Sequence, residues 1–185
     1  DKEDALYVGR ALGLNGILLV YGGGCTGNMG FSSGACLEAG GLVKGFNLSC
    51  FAEAHDYPQK SYEVVCRSIA IRKEEMLAAA DAYIALGGGV GTLDEIVDAA
   101  NEQCLAGYMT PPVKKKPIIL INRGGLYDHF PKVLEDQIRR GYTKPDVLGS
   151  VTLVPDGRSA IQELARHFGT NMRLPEFTVQ RPGPR

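Results

Sequence analysis

The clearest chemical signal in this sequence is a glycine-rich segment that leads into a helical pattern. Residues 85–95 read ALGGGVGTLDE and include the second glycine cluster of the chain, residues 87–91. Glycines allow backbone N–H groups to turn inward, and a helix N-terminus adds a partial positive charge, so this junction favours a bound phosphate. We expect a phosphate cradle of five residues: Gly88, Gly89, Val90, Gly91 and Thr92.

A carboxylate follows this cradle at helical spacing. Glu95 lies three residues after Thr92, so both side chains project from one side of the predicted helix, toward the mouth of the cradle. A carboxylate beside a phosphate is electrostatically unfavourable, which favours a role in chemistry on the attached sugar. An acidic residue in a first helical turn is also a common partner of the helix dipole, and the residues alone leave both interpretations open. No Walker lysine follows the glycines, so a P-loop kinase or ATPase is unsupported.

The first glycine cluster, residues 22–30, reads GGGCTGNMG and also joins an apolar run to a helical pattern. Gly22, Gly24 and Gly27 satisfy G-x-G-x-x-G, the fingerprint of a dinucleotide site. The acidic residue that would hold a ribose hydroxyl is missing at the end of the next strand, which disfavours a dinucleotide-dependent oxidoreductase. Glycines that only allow a tight turn from strand to helix are a further interpretation.

Apolar runs of strand length alternate with helical patterns along the chain, which predicts an α/β fold. The predicted strands are residues 17–21, 42–46, 62–66, 82–86, 118–122 and 151–154. The predicted helices are residues 5–14, 30–39, 68–80, 92–105, 127–140 and 159–168. This order predicts a Rossmann-like, doubly wound parallel sheet flanked by helices in one domain, residues 1–170. The proline-containing tail, residues 171–185, is predicted to be mobile or packed on a partner.

Composition excludes several classes of protein. The 20 basic and 21 acidic residues give a formal net charge of -1, so no overall field attracts nucleic acid or an anionic membrane. No apolar run reaches the length of a membrane helix, and the acidic first residues do not resemble a signal peptide, so we expect a cytoplasmic protein. The five cysteines include no Cys-x-x-Cys pair, which argues against a disulfide framework and against a zinc site.

An Arg–Lys pair before the second glycine cluster completes a pattern that resembles a known family. The chain is similar to the Lonely Guy family of cytokinin-activating phosphoribohydrolases, which were long labelled possible lysine decarboxylases. The matching residues are Arg72–Lys73, Met76, residues 81–83 (DAY), residues 87–95 (GGGVGTLDE), residues 20–24 (VYGGG) and Met29–Gly30. The resemblance covers residues 4–165. No lysine has surroundings that mark a pyridoxal phosphate pocket, so a decarboxylase is disfavoured.

Two features depart from that family. Gly87 stands where the family usually has proline, which removes some preorganisation of the cradle, an effect of about 1 kcal/mol. The family also begins with a strand and a Gly–Ser loop ahead of its first helix, whereas this sequence begins within that helix. We therefore expect the domain described by these residues to lack the family's first strand.

The resemblance implies hydrolysis of the N-glycosidic bond of adenosine 5′-monophosphate, or of an N6-substituted analogue, to free base and ribose 5-phosphate. Glu95 would stabilise the oxocarbenium-like ribose and orient water, and Arg72 would hold Glu95 and the substrate. Further binding residues implied beside the cradle are Lys73, Gly23, Gly24 and Met29. No metal or organic cofactor is expected. A homodimer or larger assembly is predicted, also because the helix bearing Ile69, Met76 and Leu77 has an apolar face.

A non-catalytic nucleotide carrier or regulator on the same fold is the main alternative. The pair Arg72 and Glu95 discriminates between the two hypotheses, because a carrier has no use for it. The residues leave open whether the base is a prenylated adenine, plain adenine or another purine or pyrimidine.

Overall fold

The structure, a computed structural model, describes residues 1–52, 61–108 and 114–176. Its six strands form two three-stranded sheets, ordered β1-β2-β3 and β4-β5-β6, in which every neighbouring pair is parallel. The strands are β1 (Leu19–Tyr21), β2 (Val43–Leu48), β3 (Tyr62–Cys66), β4 (Tyr83–Ala85), β5 (Ile118–Ile121) and β6 (Val151–Val154). The register pairs Leu19 with Val43 and Phe46 with Val64 in the first sheet, and Ala85 with Leu120 in the second.

Helices connect these strands, as parallel pairing requires. Within the described ranges they are α1 (Lys2–Leu14), α2 (Gly27–Glu38), α3 (Ser49–Ala52), α4 (Ile69–Ala79), α5 (Val90–Leu105), α6 (His129–Arg139) and α7 (Gly157–Phe168). Side-chain caps fix two of their starts, because Ser68 accepts a hydrogen bond from the Ile71 N–H and Asp156 accepts one from the Ser159 N–H. None of the helices in these ranges combines the length and apolar character that crossing a bilayer requires.

The hydrophobic core joins the two sheets. One cluster of buried side chains contains Tyr21 and Val43 from the first sheet together with Ile119 and Val154 from the second. Ile121 of β5, Cys36 of α2 and residues of helices α1 and α7 contribute the rest of its buried residues. A second cluster lies around α5, β5 and α6. All four residues of β5 are buried, as a continuous apolar run in a parallel sheet predicts.

The predicted class, parallel strands flanked by helices in an α/β fold, is confirmed. The differences lie at boundaries: β1 begins at Leu19, β2 runs on to Leu48, and α2 begins at Gly27 inside the first glycine cluster. Pairing with β3 explains the longer β2, because Leu48 is still in register with Cys66. The short helix α3 was not predicted, and the strands form two arrays in which β1 and β4 are end strands.

The first part of the predicted tail packs on its own chain. The Asn15 side chain donates a hydrogen bond to the Arg173 carbonyl (2.9 Å) and accepts one from the Arg173 N–H (2.7 Å). Met172 and Leu174 pack against the main core cluster, which holds residues 171–176 in place. Mobility or packing on a partner stays a prediction for the tail as a whole, because residues 177–185 lie outside the described part of the chain.

Candidate active site

The two glycine clusters meet at one edge of the molecule. The first follows the carboxyl end of β1, and the second follows the carboxyl end of β4. The Asn28 side chain joins them, since its Nδ2 donates a hydrogen bond to the Gly87 carbonyl at 2.7 Å. Ligands of open α/β sheets bind beyond the carboxyl ends of the strands, so this junction is the candidate active site.

Arg72 of α4 crosses this junction and contacts three different elements. Its Nε donates to the Phe46 carbonyl of β2 at 2.8 Å, and its Nη2 donates to the Gly22 carbonyl at 3.2 Å. Its Nη1 donates to Oε1 of Glu95 on α5 at 3.3 Å. The planar guanidinium makes these contacts in fixed directions, which a lysine ammonium could not do. The structure therefore brings together the two residues that the sequence proposes as catalytic.

The glycines of the first cluster make room for side chains of this chain. A Cβ at Gly22 would lie 2.1 Å from Nη2 of Arg72, and a Cβ at Gly24 would lie 2.5 Å from the terminal methyl of Met29. The position of the Arg72 guanidinium depends on Gly22, because three hydrogen bonds fix that guanidinium, whereas the exposed Met29 side chain has room to move away from a Cβ at Gly24. This packing accounts for one position of the G-x-G-x-x-G match, Gly22, without a dinucleotide. Gly23 is buried with a positive φ of 78° and lies against the Phe46 carbonyl.

The environment of Glu95 keeps its carboxyl group partly accessible. Its side chain is 35% exposed, while that of Arg72 is 14% exposed. Burial raises the pKa of Glu95 above its ordinary value, and the charge and hydrogen bond of Arg72 offset part of that rise. The neighbouring carboxylate of Asp94 raises the pKa further. Glu95 is thus an acidic group in partial contact with solvent, held by one arginine nitrogen.

Lys73 faces a different part of α5 from its neighbour Arg72. Its Nζ lies 2.8 Å from Oδ1 of Asp94 and 2.7 Å from Oδ2 of Asp98. Hydrogen bonds to these carboxylates raise the pKa of Lys73, so it is fully charged at neutral pH. The Arg72–Lys73 pair therefore docks α4 on α5 at two adjacent points. A contact between Lys73 and substrate stays a prediction, since both its carboxylate partners lie on the protein.

The predicted phosphate cradle lies at the start of α5, next to Glu95. Residues 88–91 are exposed, and the N-cap residue Gly89 has no side chain that caps the first turn. The Thr92 and Leu93 N–H groups donate to the Gly89 carbonyl. A Cβ at Gly88 would lie 2.1 Å from Oγ1 of Thr92, so this close turn requires glycine. The positive end of a 16-residue helix is therefore open at the surface beside the Arg72–Glu95 pair.

Two residues of this region have no signal in the sequence that marks them. Tyr127 donates from its hydroxyl to the Leu86 carbonyl at 2.6 Å, one residue before the carbonyl that Asn28 holds. Asn28 stands inside the first glycine cluster, but its partner is 59 positions away. Tyr127 belongs to an ordinary helical pattern in the sequence. Only the tertiary structure brings these side chains to the segment that leads from β4 into the cradle.

The fold and the paired glycine turns define a Rossmann-like α/β protein with an arginine–glutamate pair beyond the ends of its strands. The chain belongs to the family described as "Possible lysine decarboxylase", whose model matches residues 29–164. That match includes Arg72, Glu95 and the whole predicted cradle. It begins inside the first glycine cluster and ends in α7.

Curated relatives agree with this assignment, and a solved structure shares the fold. Over 179 residues the chain is 31% identical to the "Cytokinin riboside 5'-monophosphate phosphoribohydrolase LOG" of Oryza sativa subsp. japonica, covering 96% of this chain and 69% of that protein. It is also 31% identical to the "Cytokinin riboside 5'-monophosphate phosphoribohydrolase" of Mycobacterium tuberculosis, covering 88% of this chain and 84% of that one. The molybdenum cofactor binding protein of Rippkaea orientalis shares the fold, with a TM-score of 0.69 at 22% identity, over 90% of this chain and 87% of that one.

Proposed function

We propose that this protein hydrolyses the N-glycosidic bond of a nucleoside 5′-monophosphate, with adenosine 5′-monophosphate or an N6-substituted analogue as substrate. The observation that carries the proposal is the contact between Arg72 and a partly exposed Glu95 beside the open N-terminus of α5. The names of the two 31% identical relatives support the same class of reaction. The products are the free base and ribose 5-phosphate.

The phosphate cradle and the Arg72–Glu95 pair have different roles in the proposed chemistry. The 5′-phosphate binds the N–H groups at residues 88–91 and the Thr92 hydroxyl, and this anchors the ribose with its anomeric carbon near Glu95. The C1′–N bond breaks with its electron pair going to the base nitrogen, which takes up a proton from solvent, and a water oxygen bonds to C1′. The Glu95 carboxylate stabilises the positive charge that develops on the ribose and accepts the proton of the attacking water; Glu95 afterwards returns its proton to solvent. Arg72 keeps the carboxylate charged and oriented.

A chromatographic screen of nucleoside 5′-monophosphates for released base tests this proposal. The matched controls are the corresponding nucleosides, which lack the phosphate but keep the bond to be cleaved. We expect release from at least one adenosine-type monophosphate and slow release from its nucleoside, because binding energy at the phosphate positions the reacting atoms. Recovery of every monophosphate intact, with measurable binding, would instead support a non-catalytic carrier.

We also propose that the chain forms a homodimer or a larger homo-oligomer. Three apolar side chains on one face of α5 are exposed, and we call them the α5 stripe: Val90 (83%), Leu93 (44%) and Val97 (54%). Helix α4, which packs beside α5, has no buried residue, and Ile69 at its start is 54% exposed. Exposed apolar surface of this kind is typical of association sites. The α5 stripe begins at the cradle, so a partner there would border the site.

Light scattering at micromolar concentration tests this assembly. We expect a mass of at least twice that of the chain, and a shift to the monomer in Val97→Lys, which places a charge in the α5 stripe. Val133→Lys is the matched control, because Val133 is 52% exposed on α6. A fully active monomer in the unmodified chain would contradict the proposal.

A further inference from the structure

Two consecutive carbonyl groups before the cradle are held by side chains from two other elements. The Leu86 carbonyl accepts a hydrogen bond from the Tyr127 hydroxyl at 2.6 Å, and the Gly87 carbonyl accepts one from Nδ2 of Asn28 at 2.7 Å. Asn28 lies in the first turn of α2, and Tyr127 lies just before α6. The segment between β4 and α5 is thus fastened on both sides at the point where the chain turns into glycines.

Holding these carbonyls fixes the direction of the N–H groups that follow them. A peptide unit is planar and trans, so the C=O of one residue and the N–H of the next point in opposite directions. The bond to Leu86 therefore orients the Gly87 N–H, and the bond to Gly87 orients the Gly88 N–H. Glycine has the widest choice of backbone conformations, so residues 87–89 would otherwise sample many orientations.

The donors are themselves held in place. Tyr127 is 2% exposed, and its own N–H donates to Oδ1 of Asn122 at 2.7 Å. Burial raises the pKa of the Tyr127 hydroxyl, which keeps it protonated as a donor at neutral pH. Asn28 is half-buried on a helix whose next turn is packed in the core. Each bond thus connects the flexible glycine segment to a rigid part of the molecule.

We infer that Asn28 and Tyr127 are positioning residues that aim the cradle N–H groups at the phosphate of the ligand. This inference rests on the proposed function for the identity of the ligand. The two side chains fix the conformation of the glycine-rich turn, and Asn28 acts nearer the cradle than Tyr127. The residues do not touch the reacting atoms, so their effect should fall on phosphate binding.

Calorimetric binding to Glu95→Gln protein, in which turnover is suppressed, isolates this effect. Asn28→Leu keeps the approximate volume but removes the donor, and we expect binding of adenosine 5′-monophosphate and of ribose 5-phosphate to weaken about tenfold, the size of one hydrogen bond. Binding of adenosine, which has no phosphate, should not change. Adding Gly87→Ala should recover part of the loss, because alanine narrows the conformations of the turn.

The controls separate positioning from damage to the fold. Asn15→Leu removes a side chain that also donates to backbone carbonyls, at 2.7 and 2.9 Å, but away from both glycine clusters, and should leave nucleotide binding unchanged. A second probe, Tyr127→Phe, deletes one hydroxyl, keeps the ring, and should weaken phosphate binding about threefold. In otherwise unmodified protein, Asn28→Leu should raise KM more than it lowers kcat.

The inference is overturned if Asn28→Leu and Tyr127→Phe both bind the monophosphate as tightly as their parent, or if Asn28→Leu weakens adenosine equally. Failure of the proposed function would look different. The unmodified chain would then bind the monophosphate without releasing base, and the binding comparison would still stand. A chain that binds no monophosphate would overturn both the proposed function and the inference about Asn28 and Tyr127.

Discussion

Two arginine–carboxylate pairs in this molecule use the same chemical groups with opposite results. Arg123 and Asp4 form a bidentate pair, with Nε 2.6 Å from Oδ2 and Nη2 2.7 Å from Oδ1. The Gly157 N–H adds a third donor to this carboxylate at 2.8 Å, and the Asp4 side chain is only 3% exposed. Although burial alone would raise it, the pKa of Asp4 is lowered by these hydrogen bonds.

The pair formed by Arg72 and Glu95 is looser. One nitrogen contacts one carboxylate oxygen at 3.3 Å, and the other guanidinium donors bind the Phe46 and Gly22 carbonyls. Burial raises the pKa of Glu95, and Arg72 does not fully offset it. Within the described part of the chain, the carboxylate of Asp4 is surrounded by donors, whereas that of Glu95 keeps room to accept a proton or a water molecule. The first arrangement stabilises the fold, and the second suits a reactive group.

Of the two arginine–carboxylate pairs, the Arg72–Glu95 pair should matter more for activity, so Arg72→Ala should lower turnover more than Asp4→Asn does. Without the guanidinium, Glu95 loses its orienting partner and its pKa rises further, so we expect turnover to fall roughly 10²-fold, as for other electrostatic groups in active sites. Arg72→Lys should rescue poorly, because an ammonium cannot reach Phe46, Gly22 and Glu95 together. Steady-state base release measures both variants. Full activity in Arg72→Lys would show that charge alone is sufficient.

Asp4→Asn should act on stability and leave the chemistry intact. The change removes a charged acceptor of three hydrogen bonds from a buried position, and we expect a loss of about 2 kcal/mol in the free energy of unfolding. Urea unfolding monitored by circular dichroism measures it, with Glu95→Gln as the matched carboxylate change. Glu95→Gln should unfold close to the unmodified midpoint. An equal loss in both variants would remove the distinction between the two pairs.

The two pairs should also respond to pH differently, because stability and turnover should be lost at different pH values. This effect should be smaller than those of the substitutions. Asp4 has a lowered pKa, so its stabilisation is present above its unfolded pKa and is lost only as pH falls through the lower folded value. Glu95 has a raised pKa and acts as a carboxylate, so turnover should fall at a pH above the ordinary range of glutamate. We expect an acidic range in which the chain stays folded but inactive. Parallel loss of activity and circular dichroism would contradict this.

The fold could be predicted from the sequence where the signal is local. Apolar runs such as that of β5 and turn residues between periodic segments place all six strands near their observed positions. What the sequence missed depends on pairing across the sheet: β2 extends to Leu48 because β3 lies beside it. The division into two arrays and the packing of Leu174 on the core are likewise decided by contacts distant in sequence.

The site could be predicted in part for the same reason. Residues in the second glycine cluster and Glu95 lie close together along the chain, so helical spacing relates them. Arg72 was found through the family resemblance, and its contacts with Phe46 and Gly22 had no sequence signal. A contact of Lys73 with the substrate stays a prediction, and the bonds of Lys73 to two aspartates of α5 had no sequence signal. Contacts between elements that are distant in sequence could not be predicted from the residues alone.

Quantifying adenine and ribose 5-phosphate released from adenosine 5′-monophosphate by three proteins tests the catalytic assignment most directly. The unmodified chain and Asp4→Asn, assayed well below its unfolding transition, should release the two products in equal amounts. Glu95→Gln should still bind the nucleotide but release products at least about 10²-fold more slowly, because it lacks the charge that opposes the oxocarbenium. Release by Glu95→Gln at the unmodified rate would contradict the assignment of Glu95.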